Sequence, residues 1–305
     1  MRSSVVGIGD VDGDGTPDFL YASRDNGFPL VWVLSGTDGS ILFRLRAPGT
    51  GRGFGQTLSP AGDFDRDGFP DAVVGATSRA VVFSGASGRE LAGLYVRKPS
   101  RSYGSCVAGG GDLDGDGYPE VVVGAPSEEP GRSTVWIHSG PRGRLSDVLV
   151  EDRASGGTAG PHRFGEGVAI LPDIDGDSLA DIAIGATHAS YYGGQGYVEV
   201  RTGDGRVRWR IEAPTVQHTP GGWFGWNVAS GGDVNADGTT DLLVTNVHFY
   251  VRAYSGRDGE KLLELDYHGG NLHAEGTSLD GVGDLNGDGH GDFLIAANET
   301  GMDCD

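Results

Sequence analysis

A nine-residue acidic segment occurs six times in this chain. The copies are Asp10-VDGDGTP-Asp18, Asp63-FDRDGFP-Asp71, Asp112-LDGDGYP-Glu120, Asp173-IDGDSLA-Asp181, Asp233-VNADGTT-Asp241 and Asp284-LNGDGHG-Asp292. Their starts lie 53, 49, 61, 60 and 51 residues apart. A period of this length means that one small unit is built repeatedly, and that no single unit can bury its apolar face alone. Nine residues before the first Asp lies an aromatic-glycine pair in four copies: Phe54-Gly55, Tyr103-Gly104, Phe164-Gly165 and Phe224-Gly225. The sixth copy has Glu275-Gly276, and in the first the same phase falls on Met1-Arg2. Repeats therefore start near 1, 54, 103, 164, 224 and 275, and residues 1–305 read as a single domain.

Each acidic segment is followed by a short apolar run: FLYAS, AVVGA, VVVGA, IAIGA, LLVTN or FLIAA. These are strands by length and β-branched content. A further strand ends in Ser/Thr-Gly at Gly36, Gly85, Gly140, Gly203 and Gly256, and a tight turn follows at Gly39, Gly88, Gly143, Gly205 and Gly259. Another strand, such as ILFRLRA or VRWRIEA, completes the unit. No segment carries apolar residues at helical spacing over a useful length. Four antiparallel strands in about 50 residues make one sheet, and radial stacking of such sheets is the β-propeller solution. A solenoid competes, but its repeats are usually shorter. The expected fold is all-β: a β-propeller of four-stranded antiparallel blades, five full and a sixth incomplete. The last repeat lacks its third and fourth strands. Either the chain is truncated or a partner completes the open blade by strand addition.

Alternate residues in a turn converge, so positions 1, 3, 5 and 9 of each segment offer side-chain oxygens and position 7 a backbone carbonyl. Six to eight hard oxygen ligands are what Ca²⁺ takes. The expected ligand sets are Asp10, Asp12, Asp14, Thr16 and Asp18; Asp63, Asp65, Asp67, Phe69 and Asp71; Asp112, Asp114, Asp116, Tyr118 and Glu120; Asp173, Asp175, Asp177, Leu179 and Asp181; Asp233, Asn235, Asp237, Thr239 and Asp241; and Asp284, Asn286, Asp288, His290 and Asp292. Up to six calcium ions follow. Mg²⁺ prefers rigid octahedra with retained water. Ser178 replaces the position-6 glycine in the fourth loop and is expected to weaken it, and Arg66 at position 4 of the second is expected to face solvent. An EF-hand needs a glutamate at position 12 between helices. Here position 12 is Tyr21, Val74, Val123, Ile184, Val244 or Ile295, and the flanks are strands. Asp and Gly also favour turns for local reasons. Yet two carboxylates about 4 Å apart repel by roughly 4 kcal/mol at an effective dielectric of about 20, so six such loops call for a cation.

The sequence of Phe/Tyr-Gly, Gly-Asp-x-Asp/Asn-x-Asp-Gly and Val-Gly-Ala resembles the FG-GAP repeat of integrin α-subunit propellers and their bacterial relatives. The resemblance runs from Met1 to about Asn298. It implies the same five-ligand loop, in the hairpin joining strands one and two of each blade. It also implies calcium hairpins on one face and recognition loops on the other. FG-GAP propellers usually have seven blades, and the short last repeat departs from that.

Charge fits this picture. The chain carries 43 acidic and 23 basic residues, a net −20. Nucleic-acid binding needs a cationic footprint and is excluded. Four carboxylates in each of the first four loops and three in each of the last two supply 22 of the 43 acids, leaving the rest of the chain nearly neutral. No apolar run approaches the ~20 residues of a membrane helix, and glycine, 56 of 305 residues, is too sparse for collagen. No nucleophile, zinc or phosphate-loop motif is present; Gly109-Gly110-Gly111 is a strand end. The eight histidines read as loop or surface residues, and Cys106 as a small buried residue without a disulfide to Cys304. Asn298-Glu299-Thr300 fits a glycosylation sequon. The expected role is adhesion or recognition of a protein or carbohydrate, not catalysis. The candidate ligand-face loops are Glu128–Ser133, Asp152–Arg163, His188–Gln195 and Thr215–Trp223, with Tyr191, Tyr192 and Trp223 as exposed aromatics. Alternatives are a subunit of an extracellular filament joined through the open last blade, and a propeller enzyme. Loops of modest affinity suit millimolar calcium outside cells, so the location expected is extracellular or cell-surface, although the chain shows no signal peptide.

Overall fold

The computed structural model describes residues 5–25, 28–47, 52–97, 100–127, 129, 132–151, 162–188, 195–214, 223–246, 250–266 and 278–296. Among these there is no α-helix. Two compact units are formed, Met1–Pro126 with Thr134–Val150, and Ser127–Ser133 with Glu151–Asp305. The first unit holds three blades: β1 (Val5–Gly9), β2 (Asp18–Asp25), β3 (Phe28–Leu34) and β4 (Ile41–Arg46); β5 (Thr57–Gly62), β6 (Asp71–Ala76), β7 (Arg79–Phe83) and β8 (Glu90–Leu94); and β9 (Cys106–Gly111), β10 (Glu120–Ala125), β11 (Thr134–Ser139) and β12 (Arg144–Val150). The second holds β13 (His162–Leu171), β14 (Asp181–His188), β15 (Tyr197–Arg201) and β16 (Val207–Glu212); β17 (Phe224–Gly232), β18 (Asp241–Asn246), β19 (Tyr250–Tyr254) and β20 (Lys261–Asp266); and the pair β21 (Ser278–Gly283) and β22 (Asp292–Ala296). Every sheet is an antiparallel meander in chain order. Five four-stranded blades and a two-stranded sixth are thus the repeats read from the sequence.

The second strand of each blade explains the near-continuous apolar runs. β6, β10, β14 and β18 are buried at every residue, and for β6 the cause is a neighbouring sheet on each face. Alternate residues of β6 enter different cores. Ala72, Val74 and Ala76 pack with Ile8, Leu20 and Val33 of the first blade, while Val73 packs with Val107, Val121 and Val123 of the third. The aromatics of the aromatic-glycine pairs are core residues: Phe54, Phe164 and Phe224 are fully buried and Tyr103 nearly so. Phe54 meets Phe83 edge-on at 6.0 Å. The glycines let main chain approach main chain. A Cβ on Gly75 would lie 2.5 Å from the Gly104 carbonyl of the next blade, and one on Gly185 1.9 Å from that of Gly225.

Three histidines depart from the surface assignment. His138, His162 and His188 are buried within strands. His138 Nε2 lies 2.7 Å from the Tyr103 hydroxyl and its Nδ1 3.0 Å from the Gly143 carbonyl, and burial lowers its pKa. His162 and His188 are cross-strand partners with ring centroids 5.1 Å apart. An imidazole is apolar enough to enter a blade interface when its nitrogens find partners, and such partners are far away in sequence. Cys106 is half-buried at the start of β9; Cys304 and the sequon lie outside the described residues.

Candidate metal centres in the acidic hairpins

All six acidic segments form the connection from a blade's first strand to its second, and their internal hydrogen bonds repeat closely. Where it is recorded, the position-1 carboxylate accepts the position-4 N–H at 2.6–2.7 Å (Asp10, Asp112, Asp173, Asp284). In every copy it accepts the position-6 N–H at 2.7–3.0 Å. Position 3 accepts the position-5 N–H at 2.8–3.2 Å, whether it is Asp or Asn. These are Asx-type turns, in which a short carboxylate stands in for a backbone acceptor. Position 6 needs a positive φ, supplied by Gly15, Gly68, Gly117, Gly238 and Gly289; Ser178 adopts it too, at 72°. The serine therefore keeps the loop geometry at the cost of left-handed backbone.

Position 9 differs from the others. Asp18, Asp71, Glu120, Asp181 and Asp241 are all at most 1% exposed. One oxygen accepts the position-2 N–H in all six copies, at 2.5–2.9 Å. In three blades the other oxygen accepts the N–H of the Ser-Gly glycine at the end of the third strand: Gly36 to Asp18, Gly85 to Asp71 and Gly256 to Asp241, at 2.9–3.1 Å. Those glycines are required, because a Cβ on any of them would stand 1.9 Å from the position-8 carbonyl. Blades three and four lack this latch. There Glu120 Oε1 and Asp181 Oδ1 are buried without a hydrogen-bond partner, as is Asp63 Oδ1 in the second loop. Burial pushes the carboxyls of Asp71 and Glu120 up to about 7 and that of Asp181 to about 6.

Carboxylate oxygens converge to within 4.8 Å of one another in four groups: Asp10, Asp12 and Asp18; Asp63, Asp65 and Asp71; Asp112, Asp114 and Glu120; Asp173, Asp175 and Asp181. Positions 1, 3 and 9 are thus brought together. Asp14, Asp67, Asp116 and Asp177 at position 5 lie outside these groups. Each instead accepts the position-7 N–H at 2.8–3.0 Å, as do Asp237 and Asp288 in the last two loops. Thr37 Oγ1 also donates to Asp14 at 2.6 Å and holds its carboxyl below the usual range. The fifth and sixth loops keep the same turn with Asn235 and Asn286, whose side-chain amides donate to Asp237 and Asp288 at 3.1 Å. A donor set of hard oxygens, some buried and unpartnered, can hold a hard divalent cation.

Family models match along most of this pattern: the FG-GAP repeat over residues 104–138, 164–198 and 224–258, and an FG-GAP-like repeat over 10–74. The chain is an FG-GAP repeat protein. Integrin alpha-PS2 of Drosophila melanogaster is 28% identical to this FG-GAP protein over 152 residues, which covers 43% of the chain and 10% of the integrin. The chain thus spans about a tenth of that relative's length. In fold it is similar to the crystal structure of BBS1N in complex with ARL6DN, soaked with lead, with a TM-score of 0.54 at 12% identity over 86% of this chain and 68% of that one.

Two further sequence assignments can be placed on this FG-GAP protein. Arg66 is exposed, as its position suggests, and it also lies across the third loop with its guanidinium 3.8 Å from the Tyr118 ring centre. Its position in a loop of its own repeat gave no hint of that reach. Trp223 is half-buried and its ring packs on Trp226, centroids 5.0 Å apart. Tyr191 and Tyr192 lie outside the described residues. The Ser-Gly glycines and Thr37 are the site residues that reading the acidic segments alone missed; the Ser/Thr-Gly recurrence was their visible trace.

Proposed function

We propose that this chain is an extracellular or cell-surface calcium-binding propeller used for adhesion or recognition of a protein or carbohydrate ligand, and that its calcium is structural. The observation that carries the calcium reading is the buried, unpartnered carboxylate oxygen of Glu120 and of Asp181, each beside two more convergent carboxylates. Positions 1, 3 and 9 supply the core of each ligand set, and position 5 and the position-7 carbonyl complete it after a small rotation. Loops five and six bind through Asn235 and Asn286 in the same places. A cation neutralises the cluster and ties the first two strands to the Ser-Gly turn. Similarity to an integrin α subunit supports a recognition role and a surface location. Millimolar Ca²⁺ is expected to raise the melting temperature by about 10 °C or more over excess EDTA, since an ion bound only by the folded state stabilises it. An unchanged melting curve would remove the calcium reading. Glycan-array and integrin-ligand panels then test recognition.

A second reading, assembly through the sixth blade, has its own observation. Val11, Phe64, Leu113 and Ile174, at position 2 of the first four loops, are 0–6% exposed, whereas Leu285 at the same position is 70% exposed and Leu294 on β22 is 61% exposed. That face suits another blade from a second copy, and light scattering against concentration reads it directly.

A further inference from the structure

We propose that Arg66 couples the cation sites of the second and third acidic loops, so that filling one strengthens the other. The inference rests on the calcium reading above and adds communication between sites to it. Arg66 occupies position 4 of the second loop, where loops one, three, four and six have Gly13, Gly115, Gly176 and Gly287, all at positive φ. Arg66 takes the same left-handed conformation, at φ 62°, which is strained for a residue with a Cβ. Its side chain crosses to the next blade. Nε donates to the Gly117 carbonyl at 3.1 Å and Nη2 to the Asp116 carbonyl at 3.4 Å. The guanidinium stacks on Tyr118 at 3.8 Å, and Gly117 leaves the space, for a Cβ there would lie 2.2 Å from Nη2.

The contacts fall on the third loop's ligand segment. Asp116, Gly117 and Tyr118 are its positions 5, 6 and 7, and Glu120 closes the same loop with a buried oxygen that has no hydrogen-bond partner. A cation in the second loop fixes Asp63, Asp65 and Asp71, and with them the backbone that carries Arg66. The fixed guanidinium then braces the two peptides that lead into the Tyr118 carbonyl. Ordering passes between the loops without a long path, and by linkage it acts equally in both directions. Two neighbouring divalent ions alone would oppose each other. Lysine could carry the charge at this position but neither stack as a plane nor donate as a fork.

The test reads the third loop through its own tyrosine. Tb³⁺ stands in for Ca²⁺, and the signal is the tyrosine-excited emission that Y118F abolishes. The full chain is titrated with and without D63N/D65N, which disables the second loop. That change removes two carboxylate charges and also the trivalent ion they hold, so the residual change in field favours binding at the third loop and opposes the shift expected from lost coupling. If the double variant does not fold, D65N alone serves the same arm. The midpoint for the third loop is expected to rise about fivefold when the second loop is disabled, and by less than about twofold in R66G and in R66K. An equal shift in R66G, or no shift in the otherwise unaltered chain, overturns the coupling while leaving calcium binding intact. Absence of any Tyr118-sensitised emission overturns the calcium reading and the coupling together.

Discussion

The position-9 carboxylate is the residue on which each hairpin turns. Asp71 accepts N–H groups from Phe64 and Gly85 at 2.8 and 2.9 Å while fully buried. Asp71→Ala strands both donors and is expected to cost about 2–4 kcal/mol in urea unfolding. Gly85→Ala is expected to cost a similar amount, because its Cβ would stand 1.9 Å from the Pro70 carbonyl and rigid backbone must move. The raised carboxyls also set a pH dependence. Asp71, Glu120 and Asp181 have folded-state values of about 7, 7 and 6, above the ordinary ~4 of an unfolded chain. The metal-free fold therefore binds more protons than the unfolded chain between these limits. Its stability from these groups is full below about pH 4 and is lost as pH rises through 6 to 7. A cation reverses the sign, since it needs the ionised form. Melting in EDTA should thus fall between pH 5.5 and 8, and the increment from added Ca²⁺ should be larger at pH 8.

At the scale of the element, the acidic hairpin and its Ser-Gly latch act as one piece. Hydrogen exchange should show calcium protecting residues 113–118 and 174–179 most, because blades three and four lack the glycine N–H that completes the position-9 carboxylate elsewhere. Equal protection in the first hairpin, where Gly36 supplies that bond, would count against it. The repeated turn was legible in the sequence because its backbone bonds are local: carboxylates at positions 1, 3 and 5 accept from amides only two to five residues away. The strands were legible for the same reason, through short β-branched runs. What escaped was made by neighbours distant along the chain. His138 reads as a surface residue until Tyr103 comes to 2.7 Å from it. Arg66 is solvent-facing as it reads, and what the sequence hides is the Tyr118 ring that the next blade places beneath it. Position 5 pairs with the position-7 amide, a bond as local as the others.

For the molecule as a whole, six divalent ions would take the formal charge from −20 to −8. Native electrophoresis should therefore show a clear loss of mobility toward the anode in Ca²⁺ relative to EDTA, and native mass spectrometry should count up to six ions. The metal-free form should also gain stability with added salt, because the repulsion is concentrated in small clusters that salt screens. The stacking of the blades has a different consequence. Where they meet at Gly75 and Gly104, and at Gly185 and Gly225, the closest approach is of main chain to main chain. Such a junction does not read side-chain identity, so neighbouring blades need no co-adapted pairs at that point. A duplicated blade must bring those glycines with it, and it must also bring side chains that fill the cores shared with its neighbours.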